Sequence, residues 1–188
     1  STGGFYSQAD ALLNEIGENN GPHRLKQYYY YTTTWLYSYW EAFCDKSEFK
    51  DYYRQKKLQI LRLTVNTTHS NYVGLYAYLS GELAYLENPL GKNVLRHYTI
   101  AINNSPVNSR VHASAAYCIA RYYREIGNMQ LYEKYIVEAA ISDIVCPLKE
   151  NLALQELSTY LYKKDTKYAD RAARYIYCSM EDAKFYNN

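Results

Sequence analysis

Tyr85, Tyr123 and Leu161 stand 38 residues apart, and Ala101 and Ala139 repeat the same interval. That period constrains the fold more than any other feature of the chain. It marks a structural unit too small to bury its apolar face alone, which must stack on copies of itself. Within each unit the pattern is helical. Ala116, Ile119, Ala120, Tyr123 and Ile126 recur at intervals of three and four, as do Tyr132, Tyr135, Ile136, Ala139 and Ala140, and strict alternation is absent. The four prolines (Pro22, Pro89, Pro106 and Pro147) all fall between long periodic segments, where they act as punctuation. The spacing predicts an all-α chain forming one repeat domain over residues 1–188. Its hairpins are expected at about 23–66, 72–103, 107–144 and 148–186, with a short leading helix at 7–17.

The stretch YYYYTTTWLYSYW, residues 28–40, tests this reading. Aromatic and β-branched residues favour extended chain, so local propensity alone points to a strand. Spaced as a helix, the segment places Tyr29, Thr33, Leu36, Trp40 and Phe43 on one stripe and Tyr28, Thr32, Trp35 and Tyr39 on the next. Two adjacent apolar stripes suit a helix packed between neighbours, so tertiary packing is expected to override propensity here. Tyr31, Thr34, Ser38 and Glu41 are the polar remainder.

Tyrosine is the compositional anomaly, with 25 residues against 4 phenylalanines. A tyrosine brings apolar area and a hydroxyl that needs a partner or water, which suits thin cores whose edges reach solvent. The net charge of +2 is too balanced to imply a nucleic-acid partner. Cys44, Cys118, Cys146 and Cys178 form no CxxC pair and read as free, largely buried thiols, although two disulfides are also permitted. His23, His69, His97 and His112 lack metal-ligand spacing and read as solvated or capping residues, so neither metal nor cofactor is expected. Phosphate loops, nucleophile elbows and cysteine–base pairs are also missing, which makes a non-enzymatic role the expectation. No run of about 20 apolar residues marks a membrane span. The two termini read as the ends of an excised segment, compatible with a removed leader or a downstream anchor.

The segment AAYCIARYYREIGNMQLYEKYIVEAA resembles a tetratricopeptide (TPR) repeat. Ala120 stands at the small position of the first helix, Tyr123 at the following aromatic, Gly127 at the turn and Ala139 at the second-helix alanine. Tyr132 occupies a position that is usually small, suggesting looser or shifted packing. Gly81, Ala101 and Pro106 fit the preceding pair, and Leu157 and Ser158 fit the last one, where Asp165 replaces the turn glycine. The tail from AAISDI to AKFYNN is similar to TPR-type membrane sensors of Bacteroidetes that carry a domain of unknown function. The resemblance implies a right-handed TPR-like α-solenoid of about four hairpins. It further implies a periplasmic location ahead of a C-terminal membrane anchor, a transcriptional output elsewhere in the protein, and the possibility of a homodimer.

In TPR arrays ligands lie along the concave face, which is lined by the first helix of each pair. Carrying those positions over gives Tyr117, Arg121 and Arg124 in the third hairpin and Tyr78, Glu82 and Tyr85 in the second. The fourth supplies Gln155, Thr159 and Tyr162, and the first Thr34, Ser38 and Glu41. Tyrosines offer rigid amphipathic contact area, and two arginines one turn apart can fork onto a carboxylate. The implied function is a sensor or interaction module capturing a peptide, protein or glycan-derived ligand, with no nucleic acid bound by these residues. The alternative is a glycan-binding helical protein of an outer-membrane uptake system.

Overall fold

The computed structural model describes residues 8, 11–12, 15, 29, 32–34, 36–37, 47–65, 73–107, 109–145 and 152–187. Among these, the regular structure is helical, with no strand. The chain divides into two compact units, Ser1–Ser70 and Asn71–Asn188.

In the first unit, helix α1 spans Ser47–Val65. The described residues of the aromatic stretch, Tyr29, Thr32, Thr33, Thr34, Leu36 and Tyr37, are helical. Thr33 holds its place by donating from Oγ1 to the Tyr29 carbonyl at 2.7 Å. Leu36 and Tyr37 are buried and pack on Tyr53 and Ile60 of α1, the Tyr37 and Tyr53 rings stacking at 6.2 Å. This burial, at the i, i+3 and i+4 positions of a helix face, supplies the packing that overrides β-propensity. Of the expected stripes, Thr32 is exposed instead of packed, and the buried face runs through Thr33, Thr34, Leu36 and Tyr37. The leading helix falls largely outside the described residues, although Gln8, Ala11, Leu12 and Glu15 are helical.

In the second unit, helices α2 (Val73–Glu87) and α3 (Lys92–Asn103) form one pair, and α4 (Arg110–Glu125) and α5 (Met129–Val145) the next. A third pair follows, α6 (Leu152–Lys164) and α7 (Ala169–Asn187), with a 3-10 turn at Thr166–Tyr168 between them. Each helix packs on its sequence neighbour, and α2 also touches α4. The first helices of these two pairs thus meet, as in a TPR-like solenoid.

Small residues set how closely the helices approach. A Cβ on Gly81 would lie 2.6 Å from Cε1 of Tyr98, so the absent side chain admits the Tyr98 ring between α2 and α3. In the next pair Ala116 and Ala120 of α4 meet Ala139 and Ala140 of α5 within a core completed by Ile136, Leu154, Leu157 and Leu161. In the last pair Ser158 of α6 donates to the Ala172 carbonyl of α7 at 2.7 Å.

The turns also follow from the sequence. Gly127 has φ +76°, and the N–H groups of Gly127 and Asn128 bond the carbonyls of Arg124 and Tyr123. These two bonds make a Schellman motif, for which glycine's tolerance of positive φ is suited. Asn128 then accepts the Leu131 N–H at 3.2 Å and so starts α5. Where Asp165 replaces glycine, the turn takes a different solution. Asp165 is extended (φ −165°) and its side chain accepts the Lys167 N–H, capping the 3-10 turn. No left-handed residue is needed there. Tyr132, at the usually small position, is buried with its ring edge-on to Tyr160 at 5.1 Å. The result is a filled core in place of the looser packing expected.

Candidate functional site

The candidate site is the face carried by the first helices α2, α4 and α6. On α2 and α4, burial sorts the sequence-predicted residues into core and rim. Tyr78 is 8% exposed and its ring lies 6.0 Å from that of Tyr98, so it supports the face from beneath. Glu82 accepts the Tyr98 hydroxyl at 2.6 Å and the Cys118 thiol at 3.6 Å. Arg121 donates through Nη2 to the Tyr85 hydroxyl at 3.3 Å, with its guanidinium carbon 5.7 Å from that ring's centroid. Tyr85 and Arg121 are one unit: the ring's negative face and the oxygen both receive the cation. Burial, with Glu82 nearby, holds the Cys118 thiol far above its ordinary range, so the sulfur stays a protonated donor and not a nucleophile.

A second cluster centres on Glu156, a residue the sequence reasoning passed over. Its Oε2 accepts the Tyr117 hydroxyl at 2.9 Å, and its Oε1 accepts the Tyr132 hydroxyl at 3.1 Å. Arg124 pairs with the same Oε1 and also reaches Glu125 at 3.5 Å. One carboxylate of α6 therefore ties together α4 and α5. Burial, then the Glu156 charge, pushes both the Tyr117 and Tyr132 phenols well above the usual tyrosine range. The hydroxyls stay protonated and donate, and charge-assisted bonds of this kind are roughly twice as strong as neutral ones.

In the fourth hairpin the residue that reaches Tyr117 stands one position past Gln155. Gln155, Thr159 and Tyr162 lie 38 residues beyond Tyr117, Arg121 and Arg124, whereas the residue that reaches Tyr117 lies 39 beyond it. Gln155 instead turns to Ser179 of α7 at 3.0 Å, and Thr159 bonds the Gln155 carbonyl of its own helix. Tyr162 is 63% exposed and joins neither cluster. The interval relating Tyr78, Glu82 and Tyr85 to Tyr117, Arg121 and Arg124 is already 39. Continuing it would have led to Glu156.

In the first unit, Thr34 is 2% exposed, buried beside Thr33 and not on an open surface. Ser38 and Glu41 lie outside the described residues. Two histidines also differ from the solvated reading. His112 is buried with Nε2 at 2.9 Å from Glu138, and His97 is half-buried, its pKa lowered by burial and by Arg96. Cys118 and Cys178 are free thiols, the latter exposed instead of buried. Cys44 and Cys146 lie outside the described residues.

Chemically, the face offers phenol hydroxyls, two carboxylates and two guanidinium groups in fixed pairings. These groups suit recognition of polar ligands. Among the described residues no group of three or more His, Cys, Asp and Glu side chains is placed to hold a metal ion. Among the same residues no helix is long and apolar enough to cross a membrane. A family model described as the SusR N-terminal TPR domain matches residues 1–188. No curated protein and no solved structure matches the chain.

Proposed function

Because the chain belongs to the family of SusR N-terminal TPR domains, we propose that it is the extracytoplasmic sensor region of a membrane-bound transcriptional regulator, one repeat domain that captures a peptide, protein or glycan-derived ligand. Family membership supports the coarser role, a protein-interaction or sensor module of helical-repeat type, a type that is typically non-catalytic. The location of the site on α2, α4 and α6 rests on one observation above all. Glu156 gathers Tyr117, Tyr132 and Arg124 from two other helices onto a single carboxylate. A ligand carboxylate or hydroxyl competing for these donors would exchange an inter-hairpin bond for a ligand bond. The relative setting of neighbouring hairpins would then change, which is how an occupied groove becomes a signal. Periplasmic placement, a C-terminal membrane anchor and a homodimer complete the proposal.

Location is tested by fractionating cells that make the full-length protein. Recovery with the inner membrane, with this region cleaved by protease added to spheroplasts, supports the reading. Recovery in the cytosol, or protection from the added protease, refutes it. For the site, the double substitution Arg121→Ala and Arg124→Ala should weaken ligand capture by ten-fold or more. Capture unchanged by both substitutions would remove this face from consideration.

A further inference from the structure

Away from the face of α2, α4 and α6, the turn end of the last hairpin carries a cavity of about 450 Å³ lined by Lys167, Tyr168, Asp170, Arg171 and Arg174. Lys167, Arg171 and Arg174 are spaced i, i+4 and i+7, so the 3-10 turn and the first turns of α7 present them on one face. The Tyr168 ring gathers two of them. The Lys167 ammonium lies 4.9 Å and the Arg171 guanidinium 5.8 Å from its centroid.

The cations of this patch are only partly matched by carboxylates, whereas some others in the unit have a close partner. Arg124 has Glu156, and Lys164 has Glu133 at 2.6 Å. Lys167 is partly offset by Asp165 at 3.1 Å, and Asp170 adds one carboxylate to the lining. Neither Arg171 nor Arg174 has a hydrogen-bond acceptor among the described residues, although both are exposed and line the same cavity. Holding like charges together costs electrostatic energy that a multivalent anion would relieve. Guanidinium groups supply the forked donors that phosphate and sulfate oxygens accept. The volume exceeds that of a bare oxyanion and falls within the range of small-molecule sites.

We propose that this cavity binds a multivalent oxyanion, a phosphate or sulfate group, through Arg171, Arg174 and Lys167, with Tyr168 as the platform that positions the cations. The site is independent of the groove. It takes a free oxyanion or an ester of one, and two probes separate these sources. Titrate the protein by calorimetry at low ionic strength with inorganic pyrophosphate and, separately, with phenyl phosphate. Saturable binding of at least one probe is expected. Stronger binding of phenyl phosphate assigns an ester, and equal or stronger binding of pyrophosphate a free oxyanion.

The double substitution Arg171→Gln and Arg174→Gln should weaken that binding at least ten-fold, and 0.5 M NaCl should do the same, since exposed charges are screened at about that strength. Lys163→Gln, outside the cavity, should leave it unchanged. Tyr168→Phe, which keeps the ring, should bind as the parent does, and Tyr168→Ala should bind more weakly. Absence of saturable binding, or binding kept by the double arginine variant with unaltered circular dichroism, overturns the proposal.

Discussion

A single carboxylate organises more of this protein than its place in the sequence suggests. Glu156 accepts from two tyrosines and pairs with an arginine, so removing it leaves two partly buried hydroxyls without their acceptor. Glu156→Ala should lower stability by about 2–3 kcal/mol, the usual cost of stripping the acceptor from buried donors bound to a charged group, read from denaturant midpoints. The same residues fix a behaviour in alkali. Tyr117 and Tyr132, raised by burial and by Glu156, and Tyr98, raised chiefly by burial, ionise above the ordinary value of 10.0. Between that value and the folded-state pKa the unfolded chain binds fewer protons than the native one, so stability falls with rising pH. It is fully present below pH 10 and lost above it. Absorbance at 295 nm should show the phenols of Tyr98, Tyr117 and Tyr132 titrating only as the protein unfolds. Ionisation of these three near the ordinary value, with helicity intact, would contradict these placements.

The helix pairs were legible in the sequence wherever small residues and turn chemistry carry the geometry. Gly127 marked the α4–α5 turn because a positive φ favours glycine, and Ala120 and Ala139 marked the close approach because only small side chains fit there. Gly127→Ala meets no atom within 4 Å, so its expected loss of about 1 kcal/mol is backbone strain alone. Gly81→Ala differs in kind. Its methyl would meet the Tyr98 ring, which is 1% exposed and cannot swing aside. A net loss of about 1–2 kcal/mol is expected, with overpacking exceeding the gain in helix propensity. Thermal denaturation of both variants, alone and with Tyr98→Leu, separates the two causes. The smaller residue should rescue Gly81→Ala and leave Gly127→Ala unchanged. What periodicity could not supply was the phase of α6. A spacing names a helix face, but the rotation of α6 against α4 is set by Ala153, Leu154, Leu157 and Leu161 settling into the shared core. That rotation brings Glu156, and not Gln155, to Tyr117. Thr34 was misplaced for a related reason: a threonine one position from Thr33 is short enough to be buried with it.

At the scale of the molecule, the second unit is a series of helix pairs in which each helix packs chiefly on its neighbours. Such arrays behave as sums of nearest-neighbour terms, so damage should stay near its source. Leu154→Ala, at a residue 1% exposed in the α4–α6 core, should cost about 2–5 kcal/mol. Hydrogen exchange should then rise in α6 and α7 well before it rises in α2 and α3, and a uniform rise would argue against the modular account. The overall class was the most legible level, since the 38-residue interval and its small residues already implied stacked helical pairs. The seam around Glu156 was the least legible, because it forms where hydroxyls and charges from different pairs converge. The central claim is that Glu156 couples neighbouring hairpins across this seam. The most direct measurement is a double-mutant cycle for Tyr117→Phe and Glu156→Gln, two near-isosteric changes read by denaturant unfolding. The account predicts a coupling of about 1 kcal/mol, and effects additive to within about 0.3 kcal/mol would contradict it.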